Sequence, residues 1–163
     1  MNQQNIMSSV VIDNAGLLYC VNQKGEIYQL YQNGTTKTTK SISPATKVKY
    51  QSPVLTQNNL LVVPTSEPGY LVAFDILTAG LDQVWTYDST CTNTESGPKG
   101  MDLSSTPSVD DEGIIYFGDM CGNFHAVYPD GTRKWMTSVS TSYDGFAFGG
   151  CAISPNQTVR TRT

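Results

Sequence analysis

The sequence predicts an all-β fold assembled from repeats of one four-stranded antiparallel unit. Two observations carry this: one stretch reads as a complete strand meander, and that stretch returns along the chain. The clearest copy runs from Ser105 to Trp135. There Val109 precedes Asp110-Asp111-Glu112-Gly113, a cluster suited to a tight turn. Ile114-Ile115-Tyr116-Phe117 has the β-branched and aromatic composition that strands favour. Met120-Cys121-Gly122-Asn123 makes a second turn, with Gly122 free to take positive φ. Phe124, Ala126 and Tyr128 then alternate with His125 and Val127, so each set faces one side of a strand. Pro129-Asp130-Gly131-Thr132 turns the chain again, and Lys134-Trp135-Met136 opens a fourth strand.

Moved back by 97 positions, this stretch falls without a gap on the segment from Val10 to Lys37. Asp13 then matches Asp110, Gly16 matches Gly113, Tyr19 matches Tyr116, Gly25 matches Gly122 and Gly34 matches Gly131. A middle copy from Ser52 to Trp85 turns at Asn58-Asn59, Pro68-Gly69 and Thr78-Ala79-Gly80. Unit starts at Ser9, Ser52 and Thr106 are 43 and 54 residues apart, and a fourth start appears at Cys151-Ala152-Ile153. A four-stranded unit with a period of about 40 to 50 residues points to β-propeller blades. The predicted fold is therefore a partial β-propeller of four-stranded antiparallel blades, about three blades plus the start of a fourth.

Taken in order, residues 8–50 form blade one, and its tail after Thr35 is polar and carries Thr38 where the other units have tryptophan. Residues 51–103 form blade two, including a long polar loop at 88–103. Loops of that length on a rigid scaffold often carry binding. Residues 104–140 form blade three, and 141–163 a connection and an incomplete blade four. In the connection, Tyr143, Phe146 and Phe148 suit packing between blades. The pattern is expected to fail at Arg160, where an apolar residue belongs. Three blades and a fragment cannot close a ring, so the expected partners are the remaining blades of a longer chain or a second copy.

With 163 residues and a 39% apolar share, the chain can bury a sizeable core as one domain. Its net charge of −4 argues against nucleic acid or anionic lipid, which call for a basic face. No apolar run is long enough to span a membrane, and Met1–Val10 lacks the basic and apolar regions of a signal peptide. The compartment is left open. The four cysteines contain no C-x-x-C pair, and one histidine is too few for a zinc site. Cys20 reads as a small buried hydrophobe inside a strand. In a propeller, the loops entering first strands share a face with the turns between second and third strands. A disulfide between Cys91 and Cys121 is thus geometrically admissible in an oxidising compartment.

Little in the chain reads as catalytic machinery. His125 occupies the strand position that Tyr28 fills in the first unit, a structural slot. Asp110, Asp111 and Glu112 read as solvent-facing turn formers, while Asp119 and Asp144 lie near loops without a defined role. No segment matches a phosphate loop, and the acidic pairs do not have calcium-loop spacing. Asn33-Gly34-Thr35 matches a glycosylation sequon, but Asn-Gly is also what a hairpin turn requires.

The order of residues within each unit resembles the pyrroloquinoline-quinone-like repeat family. The third unit carries the pattern as Pro107, Val109, Asp110, Gly113, Tyr116, Gly118, Gly122, Ala126, Gly131 and Trp135. The second carries Ser52, Pro53, Gly69, Ala73, Asp75, Thr78 and Trp85. The resemblance implies a docking motif in which an outer-strand tryptophan, Trp85 or Trp135, meets an alanine, Ala73 or Ala126, and a turn of the neighbouring blade. It implies a structural part for Gly113, Gly122 and Gly131 as well. Family members include quinone-dependent dehydrogenases of alcohols or sugars, which use the quinone with calcium or a lanthanide, and envelope scaffolds without a cofactor. Those enzymes resemble one another in a pair of adjacent cysteines, which this chain lacks. The expected function is therefore a non-catalytic module that binds a protein or small ligand through its loops, with no cofactor. The alternative is a fragment of a quinone-dependent dehydrogenase, in which case pyrroloquinoline quinone and calcium are implied. The resemblance also implies a periplasmic or extracellular setting.

Overall fold

A computed structural model describes residues 5, 6, 8–49, 51–66, 69–89, 105–139, 151–153 and 159–161. Three four-stranded antiparallel meanders follow one another. The first holds β1 (Val11–Ile12), β2 (Leu18–Val21), β3 (Glu26–Leu30) and β4 (Thr36–Ser41). The second holds β5 (Val54–Leu55), β6 (Leu60–Pro64), β7 (Tyr70–Asp75) and β8 (Asp82–Asp88). The third holds β9 (Ser108–Val109), β10 (Ile115–Gly118), β11 (Asn123–Val127) and β12 (Arg133–Ser138). A two-stranded sheet, β13 (Cys151–Ile153) and β14 (Val159–Thr161), opens a fourth unit. Arg160 does not end the pattern: it pairs with Ala152 inside β14, because backbone pairing needs no apolar side chain there.

The repeat extends to backbone detail. In each full sheet a register shift separates the last two strands at the same place: after Gln29, after Ala73 and after Ala126. The turn between first and second strands needs positive φ, which Gly16 and Gly113 supply at 79° and 82°. In the second unit Asn59 adopts φ 60° instead, as asparagine tolerates.

Period-two alternation gives a strand two faces, and apolar faces join each sheet to the next one along the chain. Leu61, Val63, Val72 and Phe74 of the second sheet pack on Tyr19, Val21 and Ile27 of the first. Their alternates Val62, Leu71 and Ala73 pack on Ile115, Phe117 and Val127 of the third. Ile114, Tyr116, Phe124 and Ala126 turn the other way, toward Ile153 of β13. The short first strands lie together, β1 against β5 and β9 against β13. Sheets that touch face to face and converge at one edge are fanned about an axis, so this is a segment of a β-propeller.

The unit starts are linked along that axis. Ser9 donates its backbone N–H to the Ser52 hydroxyl at 2.9 Å, and Ser52 donates its own to the Thr106 hydroxyl at 3.1 Å. The first two blades thus each begin by handing a donor to the hydroxyl at the start of the next.

Candidate functional site

Three turn aspartates, Asp13, Asp110 and Asp119, each gather backbone and side-chain donors on one carboxylate. Asp13 Oδ1 accepts the Ala15 and Leu17 N–H groups, and its Oδ2 accepts the Tyr19 hydroxyl at 2.8 Å. Asp110 repeats the arrangement: Oδ1 accepts from Glu112 and Ile114, and Oδ2 accepts the Tyr116 hydroxyl at 2.9 Å. The expectation that Asp110 faces solvent is therefore corrected. Its residue is 7% exposed because the carboxylate caps its own turn and reaches a strand tyrosine. Burial and the Asp13 carboxylate together push the Tyr19 phenol up to about 12.

Asp119 performs the same service at the opposite end of the third sheet. Its Oδ1 accepts from the Cys121 and Asn123 N–H groups, and its Oδ2 accepts from His125 Nε2 at 2.9 Å. The other ring nitrogen, Nδ1, lies 3.1 Å from the Tyr87 hydroxyl of the second sheet. In the neutral ring the carboxylate fixes the proton on Nε2, so Nδ1 accepts from Tyr87. Phe117 stacks on the imidazole at 4.8 Å with planes 2° apart. Asp119 and His125 have no solvent exposure. Burial pushes the Tyr87 phenol up, against the pull of the nearby Arg133 guanidinium. An Asp–His–Tyr chain has the form of a proton relay, yet this one is sealed between two sheets. It joins them, with Asp119 and His125 closed to solvent.

Trp85 closes the outer part of the same interface. Its indole N–H donates to the Pro129 carbonyl at 2.9 Å across the blades. A Cβ built on Gly131, at φ 86°, would come within 2.7 Å of Trp85 Cγ, so the ring lies directly on that glycine. Within its own sheet Trp85 pairs with Ala73, and Trp135 pairs with Ala126. In the first sheet the corresponding pair is Gln29 and Thr38. There the large and small partners are exchanged: Gln29 is buried and donates to the Tyr19 hydroxyl at 2.8 Å, while Thr38 reaches the Ala79 carbonyl.

One open concavity accompanies that exchange. Between the first two sheets a groove of about 350 Å³ is lined by Asp13, Asn14, Leu17, Lys37, Asn59 and Ile76. It continues into a hollow of about 220 Å³ bounded by Leu55, Thr56 and Gln57. Its lining mixes aliphatic side chains with the Asp13 carboxylate, side-chain amides and the Lys37 ammonium. At the equivalent place between the second and third sheets, Asn58 and Pro129 close on Gly113.

Of the other residues singled out in the sequence, Cys20 is buried and free, and Cys121 is disulfide-bonded. Cys91, the rest of the 90–104 loop, Tyr143, Asp144, Phe146 and Phe148 lie outside the described residues. Gly122 lies in the turn that Asp119 holds, with its N–H on the Asp119 carbonyl. The aspartate–tyrosine clamps went unrecognised in the sequence, although a signal was present: Asp13 with Tyr19 and Asp110 with Tyr116 keep one spacing in two matched repeats.

No family model matches the chain. No curated protein matches it in sequence. Solved structures do match its fold. BamB from Moraxella catarrhalis superposes with a TM-score of 0.65 at 17% identity, over 92% of this chain and 43% of that one. A streptogramin B lyase gives 0.69 at 14% identity, over 99% and 49%. A europium-containing methanol dehydrogenase gives 0.62 at 16% identity, over 86% and 33%. All three are β-propellers, and the chain spans half or less of each. The fold implied by the repeat resemblance is the fold of this chain.

Proposed function

We propose that this chain is a non-catalytic segment of a propeller ring, acting as a binding or scaffolding module and forming part of a longer polypeptide. One observation carries the reading: the groups that would serve catalysis are consumed by architecture. Asp13, Asp110 and Asp119 each cap a turn and hold a neighbouring side chain, and the one histidine is buried between Asp119 and Tyr87. Ligand contact then falls to the turn-bearing faces and to the groove beside Asn14, Lys37 and Gln57. The disulfide at Cys121 suits an oxidising compartment.

The second reading, a piece of a quinone-dependent dehydrogenase, draws on the repeat resemblance. The carboxylates of Asp13, Asp110 and Asp119 suit that cofactor's metal poorly, since they already accept N–H, hydroxyl or imidazole donors. Titrating purified protein with pyrroloquinoline quinone and calcium separates the two. The binding-module reading expects unchanged quinone fluorescence and no dye reduction with alcohols or sugars. A saturable fluorescence change, or turnover, overturns it.

A further inference from the structure

One lysine of the repeat is put to different uses in the first and third units. Lys134, in β12, lies over the Tyr128 ring at 5.6 Å. Lys37, its match in β4, instead lines the groove between the first two sheets, and Asp13 lines the same groove. No ion pair joins the two, and the side chains of Lys37, Asn14, Gln57 and Asn59 have no partner among the described residues. Asp13 keeps acceptor capacity. A carboxylate offers about four acceptor sites, and the Ala15 and Leu17 N–H groups and the Tyr19 hydroxyl fill three of them. Aliphatic surface gathers at the same place. Ile12 and Leu77 border the concavity and are 62% and 74% exposed, the highest values among the described large apolar side chains.

We propose that this groove binds an aliphatic amino acid as its zwitterion, with the carboxylate on Lys37, the ammonium on the acceptor site that Asp13 retains, and the side chain against Ile76 and Leu77. An acid and a base that line one cavity unpaired each repel a ligand bearing only their own sign. A ligand carrying both charges gains at both ends. The amides of Asn14 and Asn59 add neutral donors and acceptors beside the charges. Size agrees as well. A groove of about 350 Å³ lies at the low end for ligand pockets and suits one small molecule, and the adjoining 220 Å³ hollow leaves room for the side chain. Between the second and third sheets Asn58 and Pro129 close on Gly113, and Lys134 is engaged by Tyr128. The site therefore arises from what distinguishes the units, not from the repeat they share. This inference deepens the binding-module reading and rests on it, yet the two fail separately. Quinone turnover sinks that reading, whereas indifference to amino acids sinks only this one.

Titrating the isotope-labelled full chain with L-leucine, followed by amide NMR, tests the proposal. Saturable shifts centred on the amides of Asn14, Lys37, Asn59 and Ile76 are expected. The dissociation constant should be on the order of 1 mM, as befits so small a ligand in an open groove. N-acetyl-leucine lacks the ammonium and leucinamide lacks the carboxylate, and each is expected to bind about tenfold more weakly. These two blocked forms also stand for the ends of a peptide, so they separate a chain terminus from a free amino acid. The N-acetyl comparison reads the part of Asp13 without disturbing the turn that Asp13 caps. Lys37 is exposed on β4, so Lys37→Met keeps the fold. That variant is expected to bind leucine about tenfold more weakly and leucinamide as before. The absence of a saturable shift, or shifts centred away from the groove, overturns the proposal. So does equal binding of either blocked form, or undiminished leucine binding by Lys37→Met.

Discussion

Asp119 illustrates how much one buried side chain holds. It satisfies two backbone donors, the Asn123 amide and the imidazole of His125, so its removal strands several polar groups in a dry interior. Asp119→Ala is expected to destabilise the fold by about 3 kcal/mol, measured by urea denaturation. A loss below half that figure contradicts a load shared through this carboxylate. Tyr19 sets a pH signature. Its folded value of about 12 lies above the ordinary value of 10, so the folded state retains a proton that the unfolded state has released. Stability from this group is therefore intact below pH 10 and declines as pH rises toward about 12. Tyr28 and Tyr87 are raised as well and share the alkaline decline. Tyr19→Phe is expected to flatten part of it, seen by comparing denaturation midpoints across that range; an identical slope in the variant contradicts the assignment.

Turns and outer strands obey a rule of fit that glycines reveal by contrast. Gly34 and Gly131 share the same backbone conformation, but only Gly131 lies beneath an indole. Gly34→Ala is expected to cost about 1 kcal/mol, the penalty of the left-handed backbone alone. Gly131→Ala is expected to cost about 3 kcal/mol, because the new methyl must also displace Trp85. Equal costs in chemical denaturation contradict the seat. The exchanged pair in the first sheet gives a second test. Gln29→Ala with Thr38→Trp rebuilds the Ala–Trp arrangement of the other two sheets. The double variant is expected to be more stable than the sum of the single effects by about 1 kcal/mol. Strict additivity counts against direct volume exchange. These elements also mark what the sequence disclosed. Strand positions and turns were legible because glycine, asparagine and β-branched residues report backbone demands directly. The Asp–Tyr clamps and the His125 network were not, since each joins residues whose proximity depends on how strands pair or sheets stack. Asp110 was misread for that reason: a turn carboxylate next to Asp111 and Glu112 looks solvated until Tyr116 is folded back onto it.

As a whole, the molecule is a one-dimensional stack bent around an axis, and its stability should be distributed accordingly. The second sheet is covered on both faces, by Tyr19, Val21 and Ile27 on one side and Ile115, Phe117 and Val127 on the other. The third is covered inside and open along β12. The repeat period made the blade architecture legible at this scale, and the match to propeller structures over a half or less of their length agrees with it. What the period does not encode is which interfaces are complete, because that depends on neighbours and not on any one unit. Native-state hydrogen exchange reads the difference directly. The radial stack predicts the slowest amides in β6 and β7 and markedly faster exchange in β12 than in the equivalent strand β8. Equal protection of β8 and β12, or the slowest amides in an outer strand, would contradict a fan of sheets whose last outer face awaits a partner.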